Sequence, residues 1–74
     1  MQHIEIHSEP VELYKLLKFE GLAASGGEAK ALVAAGEVQV NKAVETRKRK
    51  KIVAGDIVTF NGCDYHIVLT APQQ

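Results

Sequence analysis

Three groups of residues in this chain have types and spacings that could do chemistry. Arg47, Lys48, Arg49, Lys50 and Lys51 are consecutive, in a chain whose nine basic and nine acidic residues leave no net charge. A neutral protein with one dense basic patch suits a local anionic target rather than bulk charge neutralisation. Ser25, Gly26 and Gly27 precede an apolar helical pattern. A helix start attracts anions through its free N–H groups and its dipole. Each glycine there costs about 1 kcal/mol of helix propensity against Ala. Either they are turn residues or something must approach that helix end closely. Cys63, Asp64 and His66, with His3 and His7, make the third group.

The third group gives little support for catalysis or metal binding. In a strand, Cys63 and His66 point to opposite faces, which argues against a direct contact. No glycine elbow or oxyanion loop accompanies them. With a single Cys and none of the familiar zinc spacings, the histidines read as surface or strand residues. The chain also lacks the G-x-x-x-x-G-K-[ST] pattern, so nucleotide hydrolysis is not indicated. At Ser25 two readings stay open: a turn that holds one backbone phosphate, or a simple capped turn. Charge runs are usually solvated loops, but Lys15, Lys18, Lys30 and Lys42 could extend the 47–51 run into one surface. No aromatic interleaves with the run, so stacking of single-stranded bases is poorly supported. Phosphate-tracking recognition of structured nucleic acid fits better.

These residues need elements to position them. The 74-residue length bounds the chain to one domain, 1–74, and 46% hydrophobic content supports a folded core of Leu, Val, Ile and Ala. One cysteine excludes an intramolecular disulfide framework and fits a reducing cytosol. The N-terminus shows no signal-peptide pattern, and no apolar run approaches the roughly 20 residues that span a bilayer.

His3–Ile6 alternates and predicts a short strand. A first helix is expected from Ser8 as N-cap, with Pro10 in its first turn, to about Glu20, where Gly21 ends it. Leu13, Leu16 and Leu17 make its buried stripe, and Lys15 and Lys18 fall opposite. Ser25 and Glu28 form an S-x-x-E capping box for a second helix that Gly36 terminates. Ala29, Leu32 and Val33 are its apolar face, with Lys30 beside it. Two hairpins follow, turning at Asn41-Lys42 and at Asn61-Gly62. Ala54-Gly55-Asp56 reads as a turn, and the tail from Thr70 to Gln74 as frayed. The order predicts an α+β domain with the helices on one side of a small antiparallel sheet.

With these elements in place, GLAASGGEAKALVAAGEVQVN followed by VETRKRKKIVAGDIV resembles the S4 RNA-binding domain. The resemblance covers about residues 11–60 and rests on Gly21, Ser25, Ala29, Leu32, Val33, Gly36, Val38, Val40, Asn41, Gly55, Asp56 and Val58 at their ordered spacing. Within that family the chain is similar to a small stand-alone bacterial branch. The resemblance implies a two-helix αL element that presents basic residues to structured RNA, with no enzyme activity, cofactor or metal. By position, the implied RNA-facing set is Lys18, Ser25, Gly26, Gly27, Lys30, Asn41, Arg47, Lys48, Arg49, Lys50 and Lys51. Two positions depart from the pattern. Gly26 stands where many S4 domains have Arg, so one phosphate contact is missing. Lys42 stands where Gly is usual after Asn, adding a charge to a tight turn.

The expectation is therefore a cytoplasmic, monomeric, non-catalytic module that docks on ribosomal or transfer RNA, with no membrane or small-molecule partner. The alternative is a protein-interaction adaptor whose basic run meets an acidic partner. A sulfur or ubiquitin-like carrier is rejected, because such carriers end in Gly-Gly and this chain ends Ala71-Pro72-Gln73-Gln74.

Overall fold

Leu13, Leu16 and Leu17 form the buried stripe of α1 (Leu13–Phe19) in the computed structural model, which describes residues 2–70. Burying a leucine side chain is worth about 1.5–3 kcal/mol, so this stripe is what holds the short helix to the core. The helix begins at Leu13 and not at Ser8, which corrects the sequence expectation. Val11–Glu12 is instead a two-residue strand, β2, since β1 (Gln2–Ile6) comes before it in the chain. β2 pairs antiparallel with Lys51–Ile52, joining Val11 to Ile52 and Glu12 to Lys51. The first N–H groups of α1 are then taken by the loop before that partner strand. Leu13 N–H donates to the Lys50 carbonyl at 2.9 Å and Tyr14 N–H to the Lys48 carbonyl at 3.0 Å. A side-chain cap is unnecessary there, and Glu12 provides none. Gly21, at φ +73°, ends the helix as expected. Its N–H reaches the Lys18 carbonyl and that of Leu22 reaches Leu17, the paired bonds of a Schellman turn.

The second helix, α2 (Gly26–Ala34), has the bounds its sequence predicts. Ser25 Oγ accepts the Glu28 N–H at 3.1 Å. Among the described residues the Glu28 carboxylate makes no return bond, so half of the capping box is formed. A second Schellman turn closes the helix at Gly36, at φ +79°, with Gly36 N–H to the Val33 carbonyl and Glu37 N–H to that of Leu32. Ala29 and Val33 are buried against α1 and the sheet.

The remaining strands are β3 (Val38–Val40), β4 (Ala43–Val44), β5 (Lys51–Ile52), β6 (Ile57–Phe60) and β7 (Cys63–Leu69). The main sheet has the order β1-β7-β6-β3-β4, and β2 and β5 make a separate two-stranded ladder. Both expected hairpins form, with Val40 opposite Ala43 and Phe60 opposite Cys63. Positive φ at Asn41, Lys42, Asn61 and Gly62 gives each the two-residue turn that suits the strand twist. The sheet is antiparallel from β7 to β4 and mixed overall, because β1 lies parallel to β7 with Ile4 beside Ile67. Val38, Val40, Val58, Ile67, Ile4 and Ile6 face the helices, so the fold is α+β with a helix pair on one side of the sheet. No helix among the described residues is long and apolar enough to cross a membrane. The expected frayed tail lies, beyond Thr70, outside the described residues.

Candidate nucleic-acid interface

Tyr14 sits where the two helices and the basic loop meet. Its backbone N–H holds the Lys48 carbonyl, which fixes the 47–50 loop over the start of α1. Its ring lies under the Lys30 ammonium, 4.7 Å from Nζ to the ring centroid, and 6.0 Å from that of Lys15. The same ring lies 4.0 Å from the position that a Cβ on Gly26 would occupy. Lys18 follows Tyr14 by four residues on the helix, so it projects from the same flank one turn on. The fold therefore brings Lys30 and the Gly26 helix start to one aromatic ring, and the Lys48 carbonyl to the backbone of the same residue.

The two helix starts differ in what they leave open. At α1 the loop carbonyls of Lys48 and Lys50 consume the first N–H groups. At α2, Ser25 Oγ takes only the Glu28 N–H, and the Gly26 and Gly27 N–H groups have no partner among the described residues. The Ser25 hydroxyl accepts in that bond and keeps its proton free to donate. A Cβ on Gly27 would meet only Ser25 Oγ, at 3.9 Å, and neither glycine has a positive φ. The chain itself leaves room for a side chain at Gly27.

Ion pairing divides the cations. Lys15 pairs with Glu12 at 3.3 Å, Lys42 with Asp64 at 3.2 Å and Arg47 with Glu45 at 2.9 Å. Lys18, Lys30, Lys48, Arg49, Lys50 and Lys51 make no ion pair among the described residues. Arg47 is gripped most firmly, because its Nε, its Nη2 and its backbone N–H all donate to the Glu45 carboxylate. Those bonds hold the Glu45 carboxyl down at about 2 and raise the Arg47 pKa above its ordinary value. Arg47 thus stands apart from its neighbours in the run: it braces the loop.

Asn41 is also occupied by the fold. Its Nδ2 donates to Asp56 Oδ1 at 3.1 Å, and its Oδ1 accepts the Ile57 N–H at 2.9 Å. Asp56 in turn accepts the Val53 N–H, so Asn41 ties the first hairpin to the 54–56 turn. No contact brings it to the Tyr14 cluster. Lys42 lies with Asp64, which also accepts the Thr59 hydroxyl at 2.7 Å. Both contacts lower the Asp64 pKa, that of Thr59 most. The His3 and His66 rings are 5.4 Å apart, at paired positions of β1 and β7. No group of three or more potential metal ligands occurs among the described residues.

Tyr14 is the site residue that sequence reasoning missed. The signal was present: it lies at i−4 from Lys18, between the apolar stripe and the lysine flank. Its meeting with Lys30 and Lys48 depends on tertiary structure.

Known proteins resemble this chain in sequence, and a solved structure resembles it in fold. The family model described as the S4 domain matches residues 4–68. The protein YbcJ of Escherichia coli (strain K12) is 55% identical over 58 residues, which cover 78% of this chain and 83% of YbcJ. RlbA of Bacillus subtilis (strain 168), named a probable ribosome maturation protein, is 36% identical over 59 residues, covering 80% and 83%. The solution structure of E. coli YbcJ superposes with a TM-score of 0.68 at 48% identity over 92% of this chain and 87% of that one. It is described as revealing an αL motif involved in RNA binding.

Proposed function

We propose that this chain, which belongs to the S4 domain family, is a non-catalytic RNA-binding module that docks on structured RNA, ribosomal or transfer, through the basic surface around Tyr14. The observation that carries this reading is an unpaired lysine, Lys30, held beside an open helix start, with the basic loop docked on the same tyrosine. Lys30 lies over the Tyr14 ring, that ring reaches Gly26 at the start of α2, and the Lys48 carbonyl is bonded to the Tyr14 N–H; the ammonium and the free N–H groups of α2 both suit phosphate oxygens. Arg49 and Lys51 extend the attraction beyond direct contact, over roughly 8 Å at physiological salt. Such contacts read backbone geometry rather than base sequence, which fits a folded RNA with closely spaced phosphates. YbcJ, whose structure is described as revealing a motif involved in RNA binding, and RlbA, named for ribosome maturation, support the same reading. The full 74 residues act as one domain, as a monomer in the cytoplasm, without cofactor.

The loop contributes to folding through its carbonyls and to binding through its side chains, so the two roles separate. Replacing Lys48, Arg49 and Lys51 together by Ala should weaken binding to ribosomal or transfer RNA by roughly tenfold or more. The melting temperature should move little, because the Lys48 and Lys50 carbonyls stay in place. RNA binding unaffected by this triple variant, with acidic protein partners lost instead, would favour the adaptor reading.

A further inference from the structure

We infer that Tyr14 is a positioning residue for RNA binding: its ring holds the Lys30 ammonium beside the open start of α2. This deepens the RNA-binding reading above and rests on it. Lys30 is half-buried in α2 and makes no ion pair among the described residues. Lysine stems are long and rotamer-rich, and ordering one at the moment of binding carries an entropic cost. Here the ammonium already rests over an aromatic face, 4.7 Å from the centroid, within the range of cation–π attraction. The edge of that ring lies against Gly26, the first residue of α2, so one ring spans from the helix start to the ammonium. The Tyr14 backbone is anchored by its N–H bond to the Lys48 carbonyl, and its side chain is partly buried against the core. Lys15 is farther from the ring and already paired with Glu12, which leaves Lys30 as the cation the ring orients.

With Lys30 lying across it, the ring serves to set the ammonium in place and not to stack a base. Lys30, the Gly26 and Gly27 N–H groups and the Ser25 hydroxyl then face one phosphate site as a preformed set. Only the aromatic face is needed for this. Phenylalanine should therefore do the work of tyrosine, and leucine should not.

A double-mutant cycle between Tyr14→Leu and Lys30→Ala tests the inference, read as affinity for the bacterial ribosomal RNA fragment that the wild-type protein binds tightest. Tyr14→Leu should weaken binding about threefold, the size expected of an exposed cation–π contact. Tyr14→Phe should restore affinity to within about twofold of wild type, and Tyr14→Leu should add nothing in the Lys30→Ala background. Additive losses, or a Phe variant as weak as Leu, would overturn it. Proton chemical shifts give a second readout without RNA. The Lys30 ε-methylene signal should be displaced upfield in the wild type and the Phe variant, and return to its ordinary position in the Leu variant. An undisplaced wild-type signal would overturn the inference whether or not RNA binds. A displaced signal with no RNA bound by the wild type would instead defeat the RNA-binding reading, leaving the placement of Lys30 by Tyr14 intact.

Discussion

A Cβ built on Gly27 meets nothing nearer than Ser25 Oγ at 3.9 Å, and one on Gly26 only touches the Tyr14 ring at 4.0 Å. Packing within the chain therefore requires neither glycine, and neither φ does. Each still costs about 1 kcal/mol of helix propensity. Gly27→Ala should stabilise the fold by up to that amount, raising the melting temperature by roughly 4–8 °C. It should also weaken RNA binding, since the methyl group would stand where a phosphate approaches. Higher stability with unchanged RNA affinity would return Gly27 to a plain turn residue. Lys42 presents the opposite case. At φ +73° it occupies a left-handed conformation that disfavours a residue with a Cβ, and its pair with Asp64 is exposed to solvent. Its charge is committed to Asp64 on the sheet.

The segment from Glu45 to Lys50 behaves as an element although it has no regular secondary structure. Glu45 and Arg47 lie two apart, the arginine closes onto the carboxylate through its backbone N–H and its guanidinium, and the pair braces the segment before its turn. The pH dependence follows from the low Glu45 pKa. Between the ordinary 4.5 and about 2, the unfolded chain takes up this proton before the folded one. The contribution of Glu45 is thus complete above pH 4.5 and is lost as pH falls towards 2. Arg47→Ala removes the largest cause of the shift, so its unfolding free energy should fall less steeply than that of wild type across this window. Equal slopes in acid denaturation would contradict the brace.

Legibility in the sequence follows the same division into local and distant causes. The bounds of α2 were legible because Ser25 and Gly36 act within one turn of themselves. So was the Asn61-Gly62 hairpin. The start of α1 was not, because β2 exists only through its partner β5, 40 residues along the chain. The parallel β1–β7 pairing was hidden for the same reason. At the candidate site, the run of cations and the capped helix could be read directly. The pairing of Arg47, the internal bonds of Asn41 and the place of Tyr14 depend on contacts that a linear reading does not weigh.

At the scale of the molecule, zero net charge conceals a polarised surface. The three paired cations are bound to carboxylates near them, and the six unpaired ones include Lys30, which lies nearest the Tyr14 ring. Such a surface binds phosphates by releasing their counterions, which makes affinity depend steeply on salt. About four phosphate contacts are expected from Lys18, Lys30, the α2 start and the loop. The most direct test is the affinity of the wild-type protein for ribosomal RNA fragments measured across a salt series. The logarithm of the binding constant should fall against the logarithm of salt concentration with a slope of roughly −3, at about 0.7–0.9 per contact. A slope near zero would contradict the account.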